Sequence, residues 1–179
     1  SSRNLGVQKS TGAWVAFLDS DDRWQPEKLE RCLDIAEPEI DVIGHGLIMF
    51  RDNLLVRRHL SGPERSAEYR VQLFDGPCLT PSATMVRRDI LDKVGGFSDN
   101  PDYRTAEDFE LCLKLALVGA RFSFIDDFLT DYRLHDNNAS GSVTVHMNAT
   151  LQIIRDHYNS MSERTLWDVV RLQRRRALV

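Results

Sequence analysis

Cysteine is scarce in this sequence. Cys32, Cys78 and Cys112 are the only three in 179 residues, far apart and with no CxxC pair. That argues against a disulfide framework and a paired-thiolate zinc site, and makes a reducing, cytoplasmic setting the default. Long apolar runs are missing too: none approaches the roughly 18–20 residues that cross a bilayer. No signal peptide is visible, although a chain that opens at Ser1 without methionine makes that absence weigh little. Charge of one sign is not in excess. Lys and Arg number 23 against 27 Asp and Glu, for a net charge of −4, so there is no global reason to expect nucleic-acid binding. Internal repeats and low-complexity tracts are absent. Two glycosylation-type triplets, Asn138-Ala-Ser and Asn148-Ala-Thr, are short enough to arise by chance.

What is present suits a soluble domain with a real core: 42% hydrophobic and 28% charged residues. Residues 3–10 predict a short helix stopped by Gly12. Trp14–Leu18 is short, continuous and apolar, which predicts a strand buried on both faces. Pro26 fits the first position of a helix to about Ala36, with Glu27 and Arg31 spaced for a surface pair. Asp41–Phe50 reads as a second strand, interrupted by Gly44 and Gly46. Residues 51–70 are polar, basic and weakly patterned, an excursion from the core. Ala83–Arg87 predicts a strand and "RRDILDKVGGF" a helix closed by Gly95 and Gly96. Asn100–Thr105 reads as a loop. Ala106–Val118 predicts a helix, apolar nearly all round and therefore buried. "RFSFID" and Leu129–Arg133 predict two further strands. After "NNASGS" (Asn137–Ser142) the chain reads as helical from about His146 onward. Strands alternating with helices predict an α/β domain.

Three clusters carry chemistry. In "AWVAFLDSDDRW", Asp19, Asp21 and Asp22 follow the end of the first strand. Alternation would turn Asp19 and Asp21 to one point, at the edge where open α/β sheets bind ligands. Close carboxylates repel, and a hard cation, Mg²⁺ or Mn²⁺, would relieve that. A solvated acidic turn is the plain alternative. An EF-hand is excluded, because Trp24 stands where its glycine must be and Pro26 falls inside the loop. In "TAEDFELCLKLA", Glu107 and Asp108 open the buried helix. Acids there favour the macrodipole, and a carboxylate on a rigid element also makes a well-held general base. In "DYRLHDNNAS", Arg133 suits phosphate and His135 can ligate a metal.

These pieces, in this order, resemble the family-2 glycosyltransferases of the GT-A fold. The matching stretches are "RNLGVQKSTGAWVAFLDSDDRWQPEKLE", "RRDILDKVGGF", "EDFELCLKLALVG" and "YRLHDNNAS". The resemblance covers roughly residues 1–142, leaving 143–179 as a helical C-terminal extension. It implies an α/β fold: a truncated GT-A domain, a Rossmann-like mixed sheet with flanking helices, plus the helical tail. It implies a metal and nucleotide-diphosphate motif at Asp19, Asp21 and Asp22, with Mn²⁺ or Mg²⁺ as cofactor. Asp108 becomes the catalytic base with Glu107 beside it, His135 a further metal or diphosphate contact, and Arg3, Asn4 and Arg133 lie toward the nucleotide. The implied reaction is inverting transfer from a nucleotide sugar, UDP-linked in the family's pattern, to a saccharide or lipid-linked acceptor. Family members begin with another half-domain, which holds the acid that reads uracil; nothing here matches it. The chain is expected to be a fragment or a degenerate domain, with sheet edges left open to homodimer formation.

Two rival classes remain: another metal-dependent phosphate-ester enzyme such as a nucleotidyltransferase, which has no need of Asp108, and a non-catalytic module. The closing stretch "TLWDVVRLQRRRALV" (Thr165–Val179) predicts an amphipathic basic helix. It would either dock on its own domain or rest at the inner membrane surface.

Overall fold

The computed structural model describes residues 1–135 and 143–178. In chain order these form α1 (Ser2–Lys9), β1 (Trp14–Ala16), β2 (Arg23–Trp24), α2 (Lys28–Asp34), β3 (Val42–Arg51), β4 (Leu54–His59), α3 (Tyr69–Asp75), β5 (Thr84–Arg87), α4 (Arg88–Lys93), α5 (Glu107–Leu117), β6 (Phe122–Arg133), α6 (Val143–Ser160) and α7 (Leu166–Leu178). The expected α/β alternation is present. "NNASGS", with Asn138, lies outside the described residues.

Strand β3 is the axis of one mixed sheet, ordered β1-β5-β3-β6-β2, with β4 also paired to β3. It runs parallel to β6 and antiparallel to β5 and β4. Alternation along β3 feeds two faces. Val42, with Val86, joins Val7, Val15, Phe17, Phe97, Leu111 and Leu115 under α1, α4 and α5. Ile43, with Met85, joins Cys32, Ile125 and Leu129 on the face covered by α2. The glycines that interrupt β3 make room for neighbours: a Cβ on Gly44 would stand 2.4 Å from Leu79, and one on Gly46 2.9 Å from the Phe128 ring.

Several expectations are corrected. The strand over Trp14–Leu18 ends at Ala16 and is not buried on both faces: Trp14 and Ala16 are half-buried, and Leu18, read as core, is 46% exposed. The reason is position, since β1 is an outer strand paired only with β5 among the described residues. The two strands read around residue 126 are one, β6. Its ladder with β3 shifts register at His45–Leu47, so that Asp126 and Asp127 bulge out without ending the strand. Arg31 does not pair with Glu27; it holds the bulged Asp127 at 2.7 Å. Helix α2 begins at Lys28, not Pro26. The excursion after residue 51 contains β4, joined to β3 by Asp52 and Asn53, both with positive φ. That conformation is the one a two-residue hairpin turn requires. Residues 101–103 make a short 3-10 turn inside the expected loop.

The helical run after residue 143 is two helices. Thr165 caps α7: its hydroxyl accepts from the Asp168 amide at 3.2 Å, while the Asp168 carboxylate accepts from the Thr165 amide at 2.7 Å. Ala149, Ile153 and Ile154 of α6 and Leu172 of α7 share a core with Leu73, Phe74, Phe109 and Leu113. Helix α7 therefore docks on its own domain, along α3, through Arg171–Asp75 at 2.8 Å and an Arg70–Asp168 pair. Leu166 and Trp167 point outward. Among the described residues no helix is long and apolar enough to cross a membrane.

Candidate functional site

The acids after β1 do not continue as an extended strand. The Asp22 amide donates to the Asp19 carbonyl at 3.1 Å, closing a turn over Asp19–Asp22. Alternation therefore does not decide where these side chains point. Beneath the turn lies fully buried Ser82. Its hydroxyl accepts from the Asp19 amide at 3.1 Å, and its carbonyl accepts from the Trp24 indole at 2.9 Å and from the Thr130 hydroxyl at 2.8 Å. Strands β1, β2 and β6 are thus referenced to one residue.

Each acid then takes its own partner. Asp19 accepts from the Arg3 guanidinium at 2.6 Å. Asp21 meets His135 at 2.8 Å, carboxylate oxygen to Nε2. Asp22 accepts from the Arg133 amide at 3.0 Å. Through this bond Asp22 braces the end of β6 against the turn. Burial, then the neighbouring Asp21 and Asp19, push the Asp22 carboxyl above its ordinary range.

Across from the turn stands the start of α5. Thr105, two residues before it, has φ +79°, an uncommon conformation for a β-branched residue. It sets the angle at which Glu107 and Asp108 leave the helix. Glu107 approaches Arg3 at 3.4 Å, so Arg3 bridges the acidic turn and α5. Burial disfavours the Arg3 charge, but Asp19, Asp108 and Glu107 outweigh it and hold the guanidinium more firmly protonated than usual. Burial raises the Asp108 carboxyl, with Glu107 adding to the effect; the Phe109 amide, Arg3 and His146 oppose it. His146 sits on α6 with Nδ1 at 2.9 Å from the Thr105 carbonyl.

One cavity of about 960 Å³ collects these groups: Arg3, Asp19, Asp21, Asp108, His146 and Arg175 all line it. Its walls include Glu107 and Tyr132. Asn4 does not join it. Its side chain donates to the Phe97 carbonyl and accepts from the Phe97 amide, both at 2.9 Å, tying α1 to the Gly95–Phe97 turn. Ser82, Thr105, His146 and Arg175 were not singled out from the sequence. A lone serine, threonine, histidine or tail arginine carries no spacing pattern that would mark it.

The donor chemistry fits a divalent cation in one respect. Asp21 and His135 place a carboxylate oxygen and an imidazole nitrogen side by side, both able to bind Mn²⁺. Among the described residues no three His, Cys, Asp or Glu groups are already gathered about a point. The arrangement suits a cation held by one or two protein groups and completed by phosphate oxygens and water.

The sequence model described as glycosyl transferase family 2 matches residues 1–95. The putative teichuronic acid biosynthesis glycosyltransferase TuaG of Bacillus subtilis is 30% identical over 145 residues, covering 78% of this chain and 54% of that protein. The fold is similar to S. aureus TarS 1-349 in complex with UDP-GlcNAc, with a TM-score of 0.67 and 19% identity over 95% of this chain and 49% of that one. It is also similar to the mannosyltransferase PcManGT from Pyrobaculum calidifontis in complex with GDP-Man and Mn²⁺, with a TM-score of 0.58 and 16% identity over 97% and 51% of the two chains. The chain spans about half the length of the curated relatives it matches. The GT-A type of α/β fold expected from the sequence is borne out.

Proposed function

Because the chain belongs to glycosyl transferase family 2, we propose that the intact protein moves a sugar from a UDP-linked donor to a saccharide or lipid-linked acceptor, with inversion and with Asp108 as general base. The observation that carries the reading is the single cavity into which α1, the β1 turn and α5 project Arg3, Asp19, Asp21 and Asp108. The names of TarS with its UDP-GlcNAc and of TuaG support the donor and a polysaccharide acceptor.

An acceptor hydroxyl is a weak nucleophile at neutral pH. Asp108 takes its proton as the new C–O bond forms on the face of the anomeric carbon opposite the leaving group. The anomeric C–O bond to the diphosphate breaks, and the nucleoside diphosphate departs with the electron pair. Asp21 and His135 are the residues that would hold Mn²⁺ or Mg²⁺, which when bound neutralises charge on the leaving diphosphate. Arg3 orients Asp19 and keeps Glu107 and Asp108 from repelling the acidic turn. The Asp22 carboxylate, on the Arg133 amide, and the Asn4 side chain, on Phe97, hold the end of β6 and helix α1 in place. We assign residues 1–142 to the transferase domain and 143–179 to a helical extension closing one side of the cavity.

Asp108→Asn tests the base. It is expected to lower turnover by about 10²–10⁴-fold while leaving UDP affinity, measured calorimetrically with Mn²⁺, unchanged. Near-normal turnover would remove Asp108 from this role.

A further inference from the structure

We propose that Arg175 is the anion-reading residue on the acceptor side of the cavity: it binds a phosphate or carboxylate carried by the acceptor near its reacting hydroxyl. The word acceptor rests on the transfer reading above; the anion site itself does not.

Three basic side chains line the cavity, Arg3, His146 and Arg175. Arg3 is committed to Asp19 and Glu107. His146 Nδ1 faces the Thr105 carbonyl. Arg175 alone of the three has neither an ion pair nor a hydrogen bond among the described residues, and its Nε is buried without a partner. Nearby acids are already taken: Asp75 by Arg171 and Asp168 by Arg70. A half-buried guanidinium is costly to leave unmatched. Burial in fact lowers its pKa, and Asp75 offsets that only in part.

The arginine is also placed by construction. Arg171 and Arg175 lie one helical turn apart on the same side of α7. The Arg171–Asp75 and Arg70–Asp168 pairs pin that side to α3. At the end of α3, Gly76 has φ +114°, and a Cβ there would stand 3.3 Å from Arg175 Nη2. A glycine thus leaves space for the guanidinium and permits the turn that Pro77 continues. Five N–H donors in a planar fork match a phosphate or carboxylate two-pronged.

Two anions could reach it, the donor diphosphate or a group on the acceptor. Topology favours the acceptor. The Asp21–His135 pair stands at the ends of β1 and β6, whereas Arg175 comes from α7, which packs on α3, which packs on α5 bearing Asp108. The base touches the acceptor, and Arg175 approaches from the base's side.

The test measures binding of glycerol 3-phosphate, glycerate and uncharged glycerol to the intact protein saturated with UDP and Mn²⁺, by ligand-observed NMR. Wild type is expected to bind at least one of the two anions and to discriminate against glycerol. Arg175→Gln is expected to weaken that anion about tenfold or more with UDP affinity unchanged. Arg175→Lys, which keeps the stem and charge but not the fork, is expected to recover part of the loss. The proposal is overturned if wild type does not prefer an anion, if Arg175→Gln binds it like wild type, or if Lys recovers nothing over Gln. Loss of UDP affinity in Arg175→Gln would assign the residue to the donor and likewise overturn it. Failure of wild type to bind UDP with Mn²⁺ strikes the transfer reading instead, and the same probes without nucleotide then decide on Arg175.

Discussion

Lys28 is the most exposing test of how this domain is held together. Its side chain is completely buried and its ammonium has no hydrogen-bond partner; it lies 3.6 Å from the centroid of the Trp24 ring. Burial lowers its pKa from 10.5 to about 8. At about 1.4 kcal/mol per unit, desolvation alone costs about 3 kcal/mol of stability wherever the group is charged in both states. Trp24 returns up to about 2 kcal/mol through its π face. The sign follows from linkage. The folded pKa is depressed, so the unfolded chain holds its proton to higher pH, and the penalty is full below pH 8 and gone above 10.5. Lys28→Met, similar in volume and unable to ionise, should therefore stabilise the protein at pH 7 by between about 1 and about 3 kcal/mol. The advantage should shrink toward zero between pH 8 and 10.5. Urea unfolding at a series of pH values measures it, and the difference between the two proteins cancels the buried tyrosines and thiols that titrate in the same window, except Cys32, whose thiol the Lys28 ammonium pulls down. A difference that stays flat with pH, or a Met variant less stable at pH 7, would refute this account of the buried amine.

Other outcomes follow from the site. As the proposed base Asp108 would have to be ionised, and burial raises its carboxyl, so kcat should fall with acidification at a higher pH than for an ordinary aspartate. Arg3→Gln removes an opposing cation and should move that limb further up; an unmoved limb in the kcat–pH profile would separate Arg3 from Asp108. Asp21→Ala should weaken UDP binding in the presence of Mn²⁺, as should chelation of the metal from wild type, both by calorimetry; unchanged affinity would make the acids a solvated turn. Gly96→Ala adds a Cβ 2.7 Å from Asn4 Oδ1 at φ +65°. It should cost about 1–3 kcal/mol and lower Tm by about 2–4 °C per kcal/mol; a melting curve like wild type would show that α1 can shift freely.

Residues whose neighbours are local were legible. The apolar run of α5 and the Gly95-Gly96 stop each carry their pattern within one element. Thr165-x-x-Asp168 is a capping box that splits the last helical run, and Asp52-Asn53 between two β-prone runs marks the β3–β4 hairpin; both signals are local to the sequence. The bulge at Asp126–Asp127 was not readable, because only the parallel partner β3 keeps the ladder going past two unpaired acids. In the site, residue type and order were enough to single out Asp19, Asp21 and Asp108, which line the cavity, and His135, which meets Asp21. Which acid meets which partner could not be read, since Arg3–Asp19 and Asp21–His135 are decided by a turn and by a strand end more than a hundred residues away. His146 and Arg175 enter from helices packed on α3, and nothing in their own flanking sequence points to a cavity.

Ser82 carries a practical warning for genetics. It is small, sealed from solvent and chemically idle, yet its hydroxyl holds the Asp19 amide while its carbonyl holds Trp24 and Thr130. A missense change there would score in an activity screen as though an active-site group had been struck. The inactive alleles of such a screen would include a residue that never meets a ligand, and only a comparison of donor binding with turnover would tell a lost reagent from a tilted platform.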